Sequence, residues 1–264
     1  MLGQYSNTIH YTVKDGLPSS TVYSAVQDSM GFIWLGTEAG LVRFDGAKFK
    51  VYTTQDGLPD NEVLGLLFDS ITSKLWIITY SKEPCYFKDG KIYTKQNDPA
   101  LSIIKSGRSE FLNGNLQVNK GVYLYNGNVI YSCFRNTIKT DTLYGVKFIY
   151  QVHQNADGTF DVLTENGADQ YQNGISTKEY NVGEQHNTYP RGDWVNDVLI
   201  FKQKDSINIY KKDARGDYKN LKMIQISDGL VAINLYSIMG ANLIVCLENI
   251  MKLTHLLSWK LTQA

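Results

Sequence analysis

The sequence has no segment able to cross a membrane as a helix, because no apolar run approaches the roughly 20 residues that the hydrocarbon core requires. The start, Met1-Leu2-Gly3-Gln4-Tyr5, shows no basic stretch followed by an apolar one, as an export signal would. It reads either as the stub of a removed signal or as the start of a cytoplasmic chain. Charge of one sign is also missing. Basic and acidic residues number 26 each, so the excess expected of a nucleic-acid binder is absent. Cysteine is scarce: Cys85, Cys133 and Cys246 stand far apart, an odd count with no CxxC spacing. That argues against a disulfide framework or a zinc site and predicts packing residues instead. Proline is scarce too, and almost no stretch has the 3.6-residue apolar period of an amphipathic helix. What is abundant is Tyr, at 18, and Gly, at 22, a balance suited to short strands and tight turns.

The chain repeats. Asp15-Gly16-Leu17-Pro18 recurs 41 residues later as Asp56-Gly57-Leu58-Pro59, and Asp228-Gly229-Leu230 follows four periods of 43 further on. Three columns of turn residues run through this period. The first holds Asp45-Gly46, Asp89-Gly90, Asn126-Gly127, Asn173-Gly174 and Arg215-Gly216. Asx-Gly between apolar runs is a strong hairpin signal, because type I′ turns need positive φ at both central residues. The second column holds Gly40, Lys82, Gly121, Gly167, Ser206 and Asn249, and the third Gly31, Lys74, Gly114, Gly158, Asp197 and Ala241. Three turns per period of about 40–45 residues mean four strands per repeat, which is the arithmetic of a β-propeller blade.

The predicted fold is therefore an all-β propeller of four-stranded antiparallel blades with about six repeats visible. It is read as a single domain over 1–264, with blades near 15–55, 56–96, 97–139, 140–182, 183–227 and 228–264. In the first blade the strands are placed at 21–27, 32–37, 41–44 and 49–53. Residues 7–13 read as an extra outer strand, of the kind that closes a propeller ring. At the other end Trp259-Lys260-Leu261-Thr262-Gln263 is similar to the outer strand that leads into Asp56. The sixth repeat then owns an outer strand already, which predicts the front portion of a longer array: six-bladed, or part of a seven-bladed ring.

Asp15-Gly16-Leu17-Pro18, Val22–Asp28, Gly31-Phe32-Ile33-Trp34-Leu35-Gly36-Thr37 and Gly40-Leu41-Val42-Arg43-Phe44-Asp45-Gly46 together resemble the two-component regulator propeller repeat. The match is nearly continuous over residues 7–60, partial over 61–95, and beyond that rests on turn spacing and the final Asp-Gly-Leu. The resemblance implies the periplasmic sensor region of bacteroidetes-type histidine kinases and hybrid two-component regulators. In that family seven-bladed propellers, often two in series, precede a small β-sandwich, a membrane helix and a kinase, and many members respond to polysaccharide fragments. It implies a non-catalytic, extracytoplasmic domain that detects a carbohydrate or other small ligand. The expected partners are that ligand, the downstream membrane and kinase segments of a longer protein and, in one arrangement, a second copy in a homodimer. No nucleic acid, metal or cofactor is expected.

Candidate binding residues come from the connections after the second strand of each blade, which gather on one face of a propeller. Glu38, Asn119 and Glu165 each stand two before a turn residue of the second column, and Tyr80 lies in the same connection of the second repeat. A ring of carboxylates and amides there would accept sugar hydroxyls or a cation, although polar loops facing water need no such role. Trp34 and Trp76 sit mid-strand in apolar runs, which favours packing between blades over sugar stacking. Asn155-Ala156-Asp157-Gly158 has its glycine too early for a calcium loop and reads as a hairpin turn. Arg215-Gly216-Asp217 falls on the periodic turn column. The four histidines share no ligand spacing. The alternatives to a sensor are a propeller enzyme, such as a polysaccharide lyase, a glycosidase or a streptogramin-type lyase, and a protein-interaction scaffold.

Overall fold

The structure is a computed structural model that describes residues 10–105, 113–117, 121–180, 191–195, 198–203, 206–225, 230–237, 242–249 and 255–260. Its strands form six antiparallel meanders that follow one another along the chain. The first contains β1 (Val22–Gln27), β2 (Ile33–Thr37), β3 (Gly40–Phe44) and β4 (Phe49–Tyr52). The second contains β5 (Val63–Asp69), β6 (Lys74–Thr79), β7 (Cys85–Lys88) and β8 (Lys91–Tyr93). The third contains β9 (Asn113–Gln117), β10 (Gly121–Asn126), β11 (Val129–Phe134) and β12 (Thr137–Thr142). β13 (Ile149–Gln154), β14 (Phe160–Thr164), β15 (Gly167–Gln172) and β16 (Ile175–Tyr180) make the fourth. β17 (Arg191–Val195), β18 (Val198–Gln203), β19 (Ser206–Lys212) and β20 (Tyr218–Gln225) make the fifth. The sixth has three strands among the described residues: β21 (Leu230–Ser237), β22 (Asn242–Asn249) and β23 (His255–Lys260). The all-β, four-stranded blade arithmetic holds. The chain divides into two compact units, residues 1–142 and 143–264.

In the first unit β1 packs on β5 and β5 on β9, so first strands of successive blades lie side by side. Two apolar clusters fill the spaces between blades. Trp34 is 3% exposed and sits 4.7 Å from the Phe87 ring of the next blade. Trp76, also 3% exposed, packs with Val122, Leu124, Tyr131 and Cys133 of the third blade. Both tryptophans are thus packing residues between blades, as their apolar runs predict. Cys85 and Cys133 are buried free thiols, the second pushed up to about 12 by burial. The side chain of Cys246 lies outside the described residues. In the second unit a third cluster joins the fourth and fifth blades through Leu163, Tyr180, Trp194, Leu199 and Tyr218.

The Asp-Gly-Leu-Pro motif now has a mechanism. Thr12 and Asp15 form a capping box around a one-turn 3-10 helix, with the Thr12 N–H donating to Asp15 Oδ2 at 2.7 Å. Gly16 ends it at φ +102°, a left-handed conformation that a glycine adopts without strain. Leu17 then turns inward and is buried. Thr53, Asp56, Gly57 and Leu58 repeat every step. A third, degenerate copy escapes a search for the motif. The Thr94 N–H donates to Asn97 Oδ1 at 2.7 Å, 41 residues after Thr53. Asp98 stands where glycine would be, stays extended at φ −135°, and caps a longer 3-10 helix, Pro99–Ile103.

Three sequence expectations are corrected. Residues 7–9 of the expected outer strand lie outside the described residues, while 10–12 form no strand and Val13 opens the 3-10 helix, because the Thr12–Asp15 box turns the chain there. Tyr11 packs edge-on against Phe44 and Phe49 instead. Trp259 and Lys260 end β23, the third strand of its sheet, rather than forming a fourth, since Trp259 pairs with Leu243 of β22. In the third blade the turn columns slip by one hairpin. Gly114 lies inside β9, Gly121 starts the second strand, and Asn126-Gly127 joins the second strand to the third. The turn before the fourth strand is Arg135-Asn136, with Arg135 at φ +54°. Of the five Asx-Gly or Arg-Gly turns, Asp89-Gly90 and Asn173-Gly174 have positive φ at both residues; the others have it at glycine alone.

One turn carries a further lock. Asp28 accepts from the N–H groups of Met30 and Phe32 with one oxygen and from Trp34 Nε1 at 2.7 Å with the other. Asp28→Ala leaves the buried indole N–H unpaired and is expected to cost about 1–2 kcal/mol. A urea midpoint equal to the parent's would show that the lock contributes nothing.

Candidate functional site

β2, β6 and β14 end in the connections that hold Glu38, Tyr80 and Glu165. Glu38 is exposed and accepts a hydrogen bond from Ser19 Oγ at 2.7 Å. Ser19 Oγ in turn accepts from the Thr21 N–H at 2.9 Å, so the carboxylate is fixed to the segment entering β1. Tyr80 is 54% exposed, and its N–H donates to the Glu62 carbonyl at 2.9 Å. The Glu62 carboxylate accepts from Tyr23 OH at 2.9 Å, joining the first blade to the second. That bond, with the negative charges of Glu62 and then Glu38 nearby, holds the Tyr23 hydroxyl above its ordinary range. The result in the first unit is a cluster of two carboxylates and two exposed tyrosines, Glu38, Glu62, Tyr23 and Tyr80.

Glu165 belongs to the second unit and plays a related part there. Its two oxygens accept from the N–H groups of Lys147 and Phe148 at 2.6 and 2.9 Å. In both blades a carboxylate after the second strand ties down the segment that enters the first. Asn119 lies outside the described residues. Tyr23 and Glu62 were not found by sequence reasoning. They stand on β1 and ahead of β5, and no repeat spacing links a tyrosine of one blade to a glutamate of the next.

The cluster offers ring faces and hydrogen-bond acceptors together. Tyrosine faces pack against apolar ring surfaces, and carboxylates accept from hydroxyl or ammonium groups. No group of three or more His, Cys, Asp or Glu placed to hold a metal occurs among the described residues.

Comparison with known proteins fits this picture. Residues 16–39 match the model of the two component regulator propeller family. A 42-residue stretch, 16% of the chain, is 48% identical to histidine kinase P4 of Formosa agariphila and spans 3% of that protein. The extracellular domain of the putative hybrid two component system BT3049 from B. thetaiotaomicron superposes with a TM-score of 0.61 at 20% identity, covering 87% of this chain and 32% of the other. PorZ, a surface component of the type-IX secretion system of Porphyromonas gingivalis, gives 0.61 at 14% identity over 90% of this chain and 33% of its own. The chain therefore spans about a third of these structures, and at such identities they share its fold. No helix among the described residues is long and apolar enough to cross a membrane. Residues 16–39, which span the first two strands of the first blade, are thus similar to the two component regulator propeller repeat, and the chain shares its β-propeller fold with extracellular domains of two-component systems.

Proposed function

We propose that this chain is part of the extracytoplasmic, periplasmic sensing region of a two-component regulator, and that it binds a small ligand such as an oligosaccharide without turning it over. The observation that carries this reading is the exposed Tyr23–Glu62–Tyr80 chain of contacts beside Glu38, on a repeat that matches the regulator family. Ligand binding there would bias the arrangement of neighbouring blades. A coupling of about 1–3 kcal/mol would suffice to pass the signal to membrane and kinase segments of a longer protein.

The test is calorimetric titration of the chain with a panel of oligosaccharides, with product analysis of each mixture. Binding without product is expected. Tyr80→Ala and Glu38→Gln should each weaken it by about tenfold, the loss of one stacking face or one charge-assisted hydrogen bond. Silence across the panel, or affinities unmoved by both substitutions, would reject the site. Released product would move the protein to the enzyme reading.

A further inference from the structure

We propose that the first unit carries a second binding site, for a small organic oxyanion, in the cleft between the second and third blades at the end of β6 opposite Tyr80. The cleft has a volume of about 340 Å³ and is lined by Lys74, Trp76, Tyr86, Tyr93, Asp98 and Arg135, among others. That volume lies in the range of small-molecule pockets.

Two of the residues that line it carry a hydrogen-bond donor without an acceptor among the described residues. Lys74 is 9% exposed, and among the described residues its ammonium makes no hydrogen bond and no ion pair. It lies 4.4 Å from the centre of the Tyr86 ring and 5.9 Å from that of Trp76. The Trp76 indole N–H is buried and has no hydrogen-bond partner among the described residues. Buried donors left without acceptors cost free energy, and a charged one costs most. An oxyanion reaching both would remove that cost twice over.

The repeat shows how the second donor came free. Trp34 donates to Asp28, and Asp69 stands at the matching place in the second blade. There, however, the Thr72 hydroxyl and the Ile71 N–H occupy the two oxygens of Asp69. The cause is one extra residue in the turn. Asp28 and Trp34 are six apart, Asp69 and Trp76 seven, and Ser73 takes φ +54° to absorb the difference. The blade that lost the lock is the one that buries a lysine two residues before its tryptophan.

The acids nearby do not satisfy Lys74. Asp98 is held by Tyr86 OH at 2.8 Å and the Ala100 N–H at 3.1 Å. Asp98 and Asp69 attract Lys74, but burial outweighs them and holds its ammonium below the ordinary lysine range. Tyr93 stacks on Tyr86 with centroids 4.9 Å apart and planes 12° from parallel, giving the cleft a flat aromatic wall. Lys88 and, at the exposed β11–β12 turn, Arg135 add two further cations to the lining, against the carboxylates of Asp98 and Asp89. The complementary ligand is a carboxylate, sulfate or phosphate carried on a ring of about monosaccharide size.

The test uses the indole N–H resonances of the ¹⁵N-labelled chain, four in all. Trp76→Phe identifies the one that matters. Glucuronate, glucose 6-sulfate, glucose 6-phosphate, glucose and inorganic phosphate are titrated in turn. At least one of the three acidic sugars should move the Trp76 resonance saturably, and which one does distinguishes carboxylate from sulfate or phosphate. Lys74→Met should weaken the response by about tenfold while other resonances keep their dispersion, and Lys74→Arg should retain part of it. The proposal fails if no acidic sugar moves the peak, if glucose moves it equally, or if inorganic phosphate does so as strongly. Glu38→Gln should leave this response unchanged, so its outcome is separate from that of the loop cluster.

Discussion

Asp161→Ala is expected to cost the second unit about 3–5 kcal/mol, the penalty for breaking a buried ion pair from one side. Asp161 lies on β14 and is fully buried. It accepts from Lys212 Nζ at 2.6 Å, Tyr180 OH at 2.7 Å, Tyr218 OH at 2.8 Å and Asn155 Nδ2 at 2.7 Å. Tyr218 OH also accepts from Trp194 Nε1 at 2.7 Å. One carboxylate therefore ties β14 and β16 of the fourth blade to β19 and β20 of the fifth, with β17 joined through Trp194. Burial first, then the Asp161 hydrogen bond and charge, push both tyrosine hydroxyls far above their ordinary range. Removing the carboxylate leaves the Tyr180 and Tyr218 hydroxyls without that acceptor, and a part-buried ammonium that keeps Asn155 Oδ1 at 2.9 Å but loses its ion pair beside two phenol rings at 5.4 and 5.6 Å. A domain has only about 5–15 kcal/mol of stability in total, so the loss is a large part of it. Urea unfolding, with hydrogen exchange read on the β14 and β20 peptides, measures the effect. The double variant Asp161→Ala/Lys212→Met should recover part of the loss, because the stranded charge is gone. If Asp161→Ala unfolds within about 0.5 kcal/mol of the parent, as an ordinary surface change would, the network does not hold these blades together.

The parts of this fold that were legible in the sequence are those made by local chemistry. The capping box at Thr12–Asp15 and the left-handed Gly16 need residues three or four apart, so they leave a motif. The second-blade copy is legible for the same reason. The third blade was misread because a turn can do without its glycine. Arg135 takes φ +54° on its own, while Asn126-Gly127 supplies a convincing signal at a different hairpin. The Asp161 network has no signature at all, since Tyr218 and Asp161 are 57 residues apart. The site divides the same way. Glu38 and Glu165 could be placed after their strands by counting turns, and the structure adds that both brace the entry to their own blade. Tyr23 and Glu62 meet only because β1 packs on β5. The unpaired Trp76 indole N–H goes with a single inserted residue in the turn before β6, which looks like noise in a repeat of variable length.

Gly36→Ala should destabilise the first unit by about 1–3 kcal/mol through overpacking, and more than Gly46→Ala does. The comparison separates two reasons for keeping a glycine. Gly46 sits at φ +97° in the β3–β4 turn, but a methyl group there meets nothing within 4 Å. Its replacement costs conformational strain alone, about 1–2 kcal/mol at most. At Gly36 the space is taken. A Cβ would lie 2.5 Å from Ser24 Oγ, 2.7 Å from the Val63 carbonyl oxygen and 3.0 Å from Val63 Cγ1. Ser24 can rotate, since its hydroxyl has no hydrogen-bond partner among the described residues to lose. The Val63 carbonyl cannot, because it belongs to the backbone of β5 in the next blade. The glycine of Trp34-Leu35-Gly36-Thr37 is therefore a point where two blades touch, and a methyl group must push them apart. Glu62 precedes Val63, and Glu38 follows Gly36 by two residues, so the same displacement acts on the Tyr23–Glu62 bond. Gly36→Ala should then lower affinity at the loop cluster as well as the urea midpoint, whereas Gly46→Ala should change the midpoint alone. Equal or reversed midpoints for the two variants would mean that β2 and β5 have room to spare, and the close approach would lose its role in placing the site.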